Sequence, residues 1–290
     1  MSFEIVTDSC CNLPEDIIGE LGVTVLPLTF MVDDVQYQSY LKGQRTDLKQ
    51  FYTMMREGKV ITTSLPNLAD VSQTFEDILK QGKDILYLAF SSGLSGTCNA
   101  IETMAQSLQE SYPDRKIIVI DSLAASVGQG LFVYLTCKHA EEGGDLEEVA
   151  QWARDILLHV CHWFTVDDLM FLHRGGRVSK TSAIAGSLLN IKPVLHVDDE
   201  GHLILMSKAK GRKKSIQALL KHMEETATEP IKDQIIGISH GDCIDDALYL
   251  KKLIEDKFGC TKFIINYVDP VIGAHSGPGT LALFFLGSHR

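Results

Sequence analysis

Three short stretches of the 290-residue chain gather hydroxyls, glycines and an imidazole in patterns able to hold an anion. In Phe90-Ser91-Ser92-Gly93-Leu94-Ser95-Gly96-Thr97 an apolar run gives way to hydroxyls, two glycines and a helical pattern from about Cys98. Such a junction offers free backbone N–H groups to a negative charge, and its glycines let the backbone come close. Ile61-Thr62-Thr63-Ser64-Leu65-Pro66 places three adjacent hydroxyls ahead of another helix, with Pro66 expected near its first turn. Gly273-Ala274-His275-Ser276-Gly277-Pro278-Gly279 sets one histidine in a backbone loosened by glycine and stiffened by proline, a setting for a closely approaching ligand. Capping and turn formation account for part of each pattern.

The remaining chemistry-bearing clusters are cationic or weak. Arg174-Gly175-Gly176-Arg177 followed by Ser179-Lys180-Thr181 has the look of a phosphate loop, but that loop would need glycines at Arg174 and Ser179. Nothing therefore argues that the chain binds ATP by itself. Lys208-Ala209-Lys210-Gly211-Arg212-Lys213-Lys214 puts five cations in seven residues of an acidic protein, which fits a docking patch or a lid over an anionic group. His159, Cys161 and His162 include metal-ligand types, yet adjacent strand residues point to opposite faces and no second ligand pair is near. Ser95, His275 and Asp8 could be assembled into a hydrolase triad, but the chain has no G-x-S-x-G elbow.

These residues need a scaffold, and β-branched runs alternating with helical patterns indicate βαβ units on a mainly parallel sheet. Runs at residues 3–7, 23–27, 85–90 and 116–120 read as its strands. Three of them end in polar loops, Thr7-Asp8-Ser9, Ser91-Ser92-Gly93 and Asp121-Ser122, and ligands of open parallel sheets sit beyond such strand ends. An amphipathic helix at 146–158 leads into a second half with a hairpin turning at Asp198-Asp199-Glu200-Gly201, helices at 212–226 and 247–257, and strands at 234–239 and 260–268. The apolar run at 281–286 is too short to assign. The expected fold is α/β in two α/β domains: residues 1–158 with a mainly parallel sheet flanked by helices, and residues 159–290 as a smaller mixed-sheet domain whose end, around 270–290, reaches a ligand site between the two.

With 27 basic against 38 acidic groups, the net charge of −11 argues against a surface built to neutralise nucleic-acid phosphates. Apolar residues at 45% and charged residues at 22% describe a packed globular chain. The seven cysteines form an odd set without a C-x-x-C pair and suit free thiols in a reducing compartment. The first eight residues contain neither the basic nor the apolar region of a signal peptide, and no run reaches the ~18 apolar residues of a membrane span, so a soluble cytoplasmic monomer is expected.

Taken together, Val6-Thr7-Asp8-Ser9, Thr63-Ser64-Leu65-Pro66, Ser91 to Thr97, Asp121 to Gly130, Leu172 to Val178, Leu189 to Leu195, Lys208 to Lys214 and Gly273 to Gly279 resemble, in order and spacing, the DegV family. Its better characterised members are the fatty-acid-binding subunits of bacterial fatty acid kinase. The resemblance implies a two-domain α/β protein holding one long-chain fatty acid, with no cofactor and no catalytic residue of its own. Matching the family motifs puts the ligand carboxylate at Thr63, Ser95 and His275. The neighbouring loops add Ser64, Ser92, Gly96, Asp8 and Ser9 as further ligand candidates. Arg174, Arg177 and Arg212 fall where the family contacts its partner or the phosphate. The implied partner is a separate ATP-dependent kinase that forms acyl phosphate, with transient membrane contact as a further expectation. The alternative is an acyl hydrolase with Ser95 as nucleophile and His275 as its base.

Overall fold

A computed structural model describes residues 2–44, 46–179 and 190–290. Lys180, Thr181 and Leu189, named in the motifs above, lie outside them. In chain order the elements are β1 (Phe3–Asp8), α1 (Glu15–Leu21), β2 (Thr24–Leu26), β3 (Thr29–Val32), β4 (Val35–Gln38), α2 (Leu48–Arg56), β5 (Ile61–Ser64), α3 (Leu68–Lys80), β6 (Asp84–Ala89), α4 (Thr97–Ser111), β7 (Ile117–Asp121), α5 (Val127–Glu142) and α6 (Leu146–Ile156). They continue with β8 (Val160–Thr165), α7 (Leu169–Arg174), β9 (Ile191–Val197), β10 (Leu203–Lys210), α8 (Arg212–Thr226), β11 (Ile235–His240), α9 (Ile244–Phe258), β12 (Lys262–Tyr267), α10 (Pro270–Ser276) and β13 (Leu281–Leu286).

The expected α/β architecture is present. A four-stranded parallel sheet runs β2-β1-β6-β7, and a six-stranded mixed sheet runs β10-β9-β8-β13-β11-β12. In the mixed sheet only β11 and β12 pair in parallel. The anticipated hairpin is β9–β10, with a register shift between Leu205 and Ser207. The run at 281–286 is β13, held between β8 and β11 deep in the mixed sheet. Both of its faces are covered, so Leu281, Leu283 and Phe285 are as buried as Ala282 and Phe284, and the alternation that marks a half-exposed strand is missing.

A third sheet, β4-β3-β5, is a small antiparallel layer absent from the sequence reading. Its strands are four residues each and β4 is mostly exposed, so neither length nor patterning announces them. The hydroxyl cluster at 62–64 therefore lies on a strand. Pro66 precedes Asn67, whose side chain caps α3 by accepting from Ala69 N at 3.0 Å, and so sits outside that helix.

Helix α5 separates the two larger sheets. Val127, Leu131, Phe132, Val133, Cys137 and Ala140 are all buried, and they join one apolar cluster with Leu86 and Leu88 of the parallel sheet and Phe164, Leu195 and Phe284 of the mixed sheet. Helices α3 and α4 cover the other face of the parallel sheet, and α8 and α9 cover the far face of the mixed one. β8 shows the consequence of period-two geometry: Cys161 and Trp163 face α8, while His162 and Phe164 face inward. All seven cysteines are free, and Cys10 and Cys11 are buried. Among the described residues no helix is long and apolar enough to cross a membrane.

Candidate functional site

A cavity of about 310 Å³ lies between the sheets. Its floor is one face of the mixed sheet, with His162 and Phe164 from β8, Ala282 and Phe284 from β13, and Ser239 from β11. Leu28, Phe90, Leu94, Leu172, Val197, Leu203, Val268 and Val271 close its walls. Most of this lining is hydrocarbon, which favours an apolar occupant.

Thr63, Ser64, Ser95, Gly96, Arg177 and His275 line the same cavity. Four separate elements supply them: β5, the turn before α4, the segment after α7, and the last turn of α10. Asp269 caps α10 by accepting from Val271 N and Ile272 N, both at 3.2 Å, and Pro270 occupies the first turn with its φ already set. His275 is therefore helical, which corrects the expectation of a loose backbone at 273–276. Looseness belongs to Gly277, which ends the helix at φ 82°, beyond what a side chain accepts readily.

His275 Nε2 and Thr63 Oγ1 are hydrogen-bonded at 2.7 Å. On the other side of the ring, Gly175 comes so close that an added Cβ would stand 2.3 Å from Nδ1. Burial, and after it the positive charge of Arg177, push the His275 pKa down to about 4, so the ring is neutral near pH 7. A neutral ring carries one N–H and one lone pair, and Thr63 can match either.

The Arg177 guanidinium donates to Leu94 O through Nε at 3.1 Å and Nη2 at 2.8 Å, and to Gly175 O. It thereby ties the turn before α4 to the end of α7. Among the described residues it has no carboxylate partner, leaving one uncompensated cation against the cavity. Ser95 Oγ is bonded to Thr97 Oγ1 at 2.9 Å and accepts from Thr97 N at 3.3 Å, while Ser64 Oγ meets Thr29 Oγ1.

Other candidates are used elsewhere. Asp8 is fully buried and accepts from Phe90 N (2.8 Å), Tyr87 Oη (2.9 Å), Cys10 N (3.1 Å) and Gln129 Nε2 (3.2 Å), with burial pushing its pKa up. It ties β1 to β6 and does not line the cavity. Ser9 Oγ pairs with Ser39 Oγ at 2.5 Å and accepts from Leu28 N at 3.1 Å, and Ser92 N is held by the Asp121 carboxylate. Neither serine lines the cavity, and the hydrogen bonds of Asp8, Ser9 and Ser92 run to the surrounding scaffold.

Arg174 is exposed and lies over the Phe171 ring at 4.6 Å. Arg212 turns inward, donating to Asp246 Oδ2 at 2.8 Å and lying 3.8 Å from Asp167, with only 19% of its side chain exposed. Arg212, expected as a partner or phosphate contact, is thus engaged within the fold, while its neighbours Lys213 and Lys214 are outside this network. Among the described residues no group of three metal-ligating side chains converges, and His159 and His162 bond separately to Gly287 O and Val160 O.

Sequence reasoning gave Ser126, Ser239 and Phe284 no part in the site and weighed His162 only as a metal ligand; the strand residues among them meet only when strands distant in the chain pair. Phe284 faces His162 across β8–β13, and Ala282 faces Ser239 across β13–β11.

Comparison with known proteins accords with this geometry. Residues 2–288 match the model of the DegV family of uncharacterised proteins. A DegV domain-containing protein of Clostridium perfringens is 43% identical over 288 residues, covering 99% of this chain and 98% of the relative. A DegV family protein from Thermus thermophilus, described by its fatty acid binding, superposes with a TM-score of 0.87 at 31% identity, covering 99% of this chain and 100% of that one. A DegV lipid binding protein from Thermotoga maritima has a TM-score of 0.87 at 27% identity, with both chains covered completely (100%). With a family match along almost its whole length, this chain belongs to the DegV family.

Proposed function

We propose that the protein carries one long-chain fatty acid, buries the hydrocarbon between its sheets, and presents the carboxylate to a separate ATP-dependent kinase that forms acyl phosphate. The observation that carries this reading is the apolar cavity whose lining combines the Thr63–His275 pair with the uncompensated Arg177. Fatty acid binding described for the Thermus relative supports the same ligand class.

The energetics divide the task. Burying some fourteen methylenes at about 0.8 kcal/mol each supplies roughly 11 kcal/mol before ordering costs. A carboxylate entering with the tail needs donors and a countercharge to remain ionised. In this reading His275 Nε2–H donates to Thr63 Oγ1, which frees the Thr63 proton for the carboxylate; Thr63 and Ser95 are then the donors, and Arg177 supplies the charge. No group here is asked to break or form a bond. In this account residues 1–158 and 159–290 are the two units flanking the ligand, and the carrier works as a cytoplasmic monomer that collects its cargo in transient membrane contact.

The hydrolase alternative needs a base in reach of the nucleophile. Ser95 Oγ is engaged by Thr97, and the imidazole it would need is bonded to Thr63. Mass spectrometry of lipid co-purifying under native conditions tests ligand class and tail length together. Incubation with an activated acyl ester separates the classes: stoichiometric binding without turnover is expected, and turnover abolished by Ser95→Ala would refute the carrier.

A further inference from the structure

Strand β13 runs through the floor of the cavity, and its inward side chains change size with depth. It begins at head-group level, just past His275, where Thr280 Oγ1 reaches Ser276 O at 3.0 Å and Gly277 O at 2.8 Å. Period-two geometry then sends Leu281, Leu283 and Phe285 towards α8 and α9, and Ala282 and Phe284 into the cavity. Ala282 lies opposite Phe164 and Ser239. About 7 Å further along the strand, Phe284 lies opposite His162 and Gly237. A methyl group is thus followed by a benzyl group on the same face.

The lower row has nowhere to retreat. The Phe284 and His162 rings meet edge to face, with centroids 5.2 Å apart at 87°. His162 Nδ1 donates to Val160 O at 2.8 Å, which pins its ring. Two glycines close in behind. A Cβ on Gly128 of α5 would fall 2.6 Å from Phe284 Cδ1, and one on Gly237 of β11 would fall 3.1 Å from Phe284 Cβ. Backbone therefore packs directly against the phenyl group, at the density of a core that yields little.

Below this row the cavity does not continue. Leu286, the next inward position of β13, belongs to a separate open groove with Leu135, Ile156 and Ile235. On β13 the cavity ends at Phe284.

We infer that β13 sets the length of the acyl chain: Ala282 lets the hydrocarbon pass and Phe284 stops it. The inference rests on the fatty-acid reading above and narrows it to a chain-length class. Each methylene that finds room above Phe284 raises affinity about fourfold. A methylene beyond that point gains nothing, because it stays in water or strains a packed core.

The test titrates saturated acids from octanoic to docosanoic into delipidated protein by displacement of a fluorescent fatty acid. Wild-type affinity is expected to climb about fourfold per carbon to a limiting length and then to stop climbing. Phe284→Leu, a smaller stop, should move that limit up by about one carbon or more, and Ala282→Val, which adds bulk one row above, should move it down by about as much. Each variant is checked for a native thermal transition, and Ala282→Val, a small addition facing the cavity, keeps the test decisive if Phe284→Leu does not fold. Affinity still climbing at docosanoic acid in the wild type, a limit unmoved in the folded variants, or one moved in the opposite sense would overturn the inference while leaving fatty acid binding intact. Failure of every acid to bind would instead remove the fatty-acid reading itself.

Discussion

Replacing Thr63 with valine isolates the head-group contribution. The β-branched shape on β5 is kept, and the hydroxyl 2.7 Å from His275 Nε2 is lost. Two effects then act in the same direction. The ligand carboxylate loses one donor, and the neutral imidazole loses the partner that fixes its ring orientation. A hydrogen bond to a charged group contributes about 1.5–3 kcal/mol, so affinity is expected to fall roughly ten- to hundredfold. The tail is untouched, and each added methylene still contributes about 0.8 kcal/mol. Measured over saturated acids of increasing length by displacement of a fluorescent fatty acid, the wild-type and Thr63→Val plots of binding free energy against carbon number should be parallel lines. A vertical offset below about twofold in affinity, or a changed slope, would refute the placement of the carboxylate at Thr63.

Gly175→Ala directs a Cβ to 2.3 Å from His275 Nδ1 without any demand on backbone dihedrals, so it should displace the ring, weaken fatty acid binding by about tenfold and lower stability to urea by about 1–3 kcal/mol; normal affinity would show that the ring is not needed where it stands. His275 has a folded pKa of about 4, below its ordinary 6.5, so the unfolded chain takes up more protons between those values. The stability it contributes is complete above pH 6.5 and is lost as pH falls towards 4. Asp269, raised by burial to about 6, titrates with the opposite sign, so the comparison is wild type against His275→Gln, where Asp269 contributes equally. The difference in melting temperature should rise from pH 4 to 6.5 and then level; a flat difference would place the imidazole in water. Arg290 donates to the carbonyls of Ser122, Leu123, Leu157, Val160 and Asp198, and Arg290→Ala, which orphans them, should cost about 2 kcal/mol or more by chemical denaturation.

The parallel sheet was legible because its strands are apolar runs ending in polar turns, and residues 85–90 and 116–120 both became strands of it. Thr63, Ser95 and His275, singled out through family motifs and clustered hydroxyls and glycines, do line one cavity. What escaped was whatever depends on pairing at long range. β13 carries no alternation because both faces are buried, and β3 to β5 are too short to declare themselves. The helix carrying His275 had its signal in Asp269-Pro270, a cap followed by a first-turn proline, which the glycines after it obscured. The surroundings of Asp8 and Arg212 were hidden for another reason: a polar residue in a loop reads alike whether it faces a ligand or binds its own scaffold, and only coordinates reveal Phe90 N on the one and Asp246 on the other.

Helix α5 belongs to neither half alone. Its buried residues line one continuous apolar cluster that reaches both large sheets, so severing the chain beyond it would strip hydrocarbon from whichever fragment loses the helix. The molecule should accordingly melt in a single calorimetric step, and its halves, expressed apart, should be insoluble until mixed. Two sheets joined through such a shared beam have no hinge between them on which to swing apart as rigid bodies.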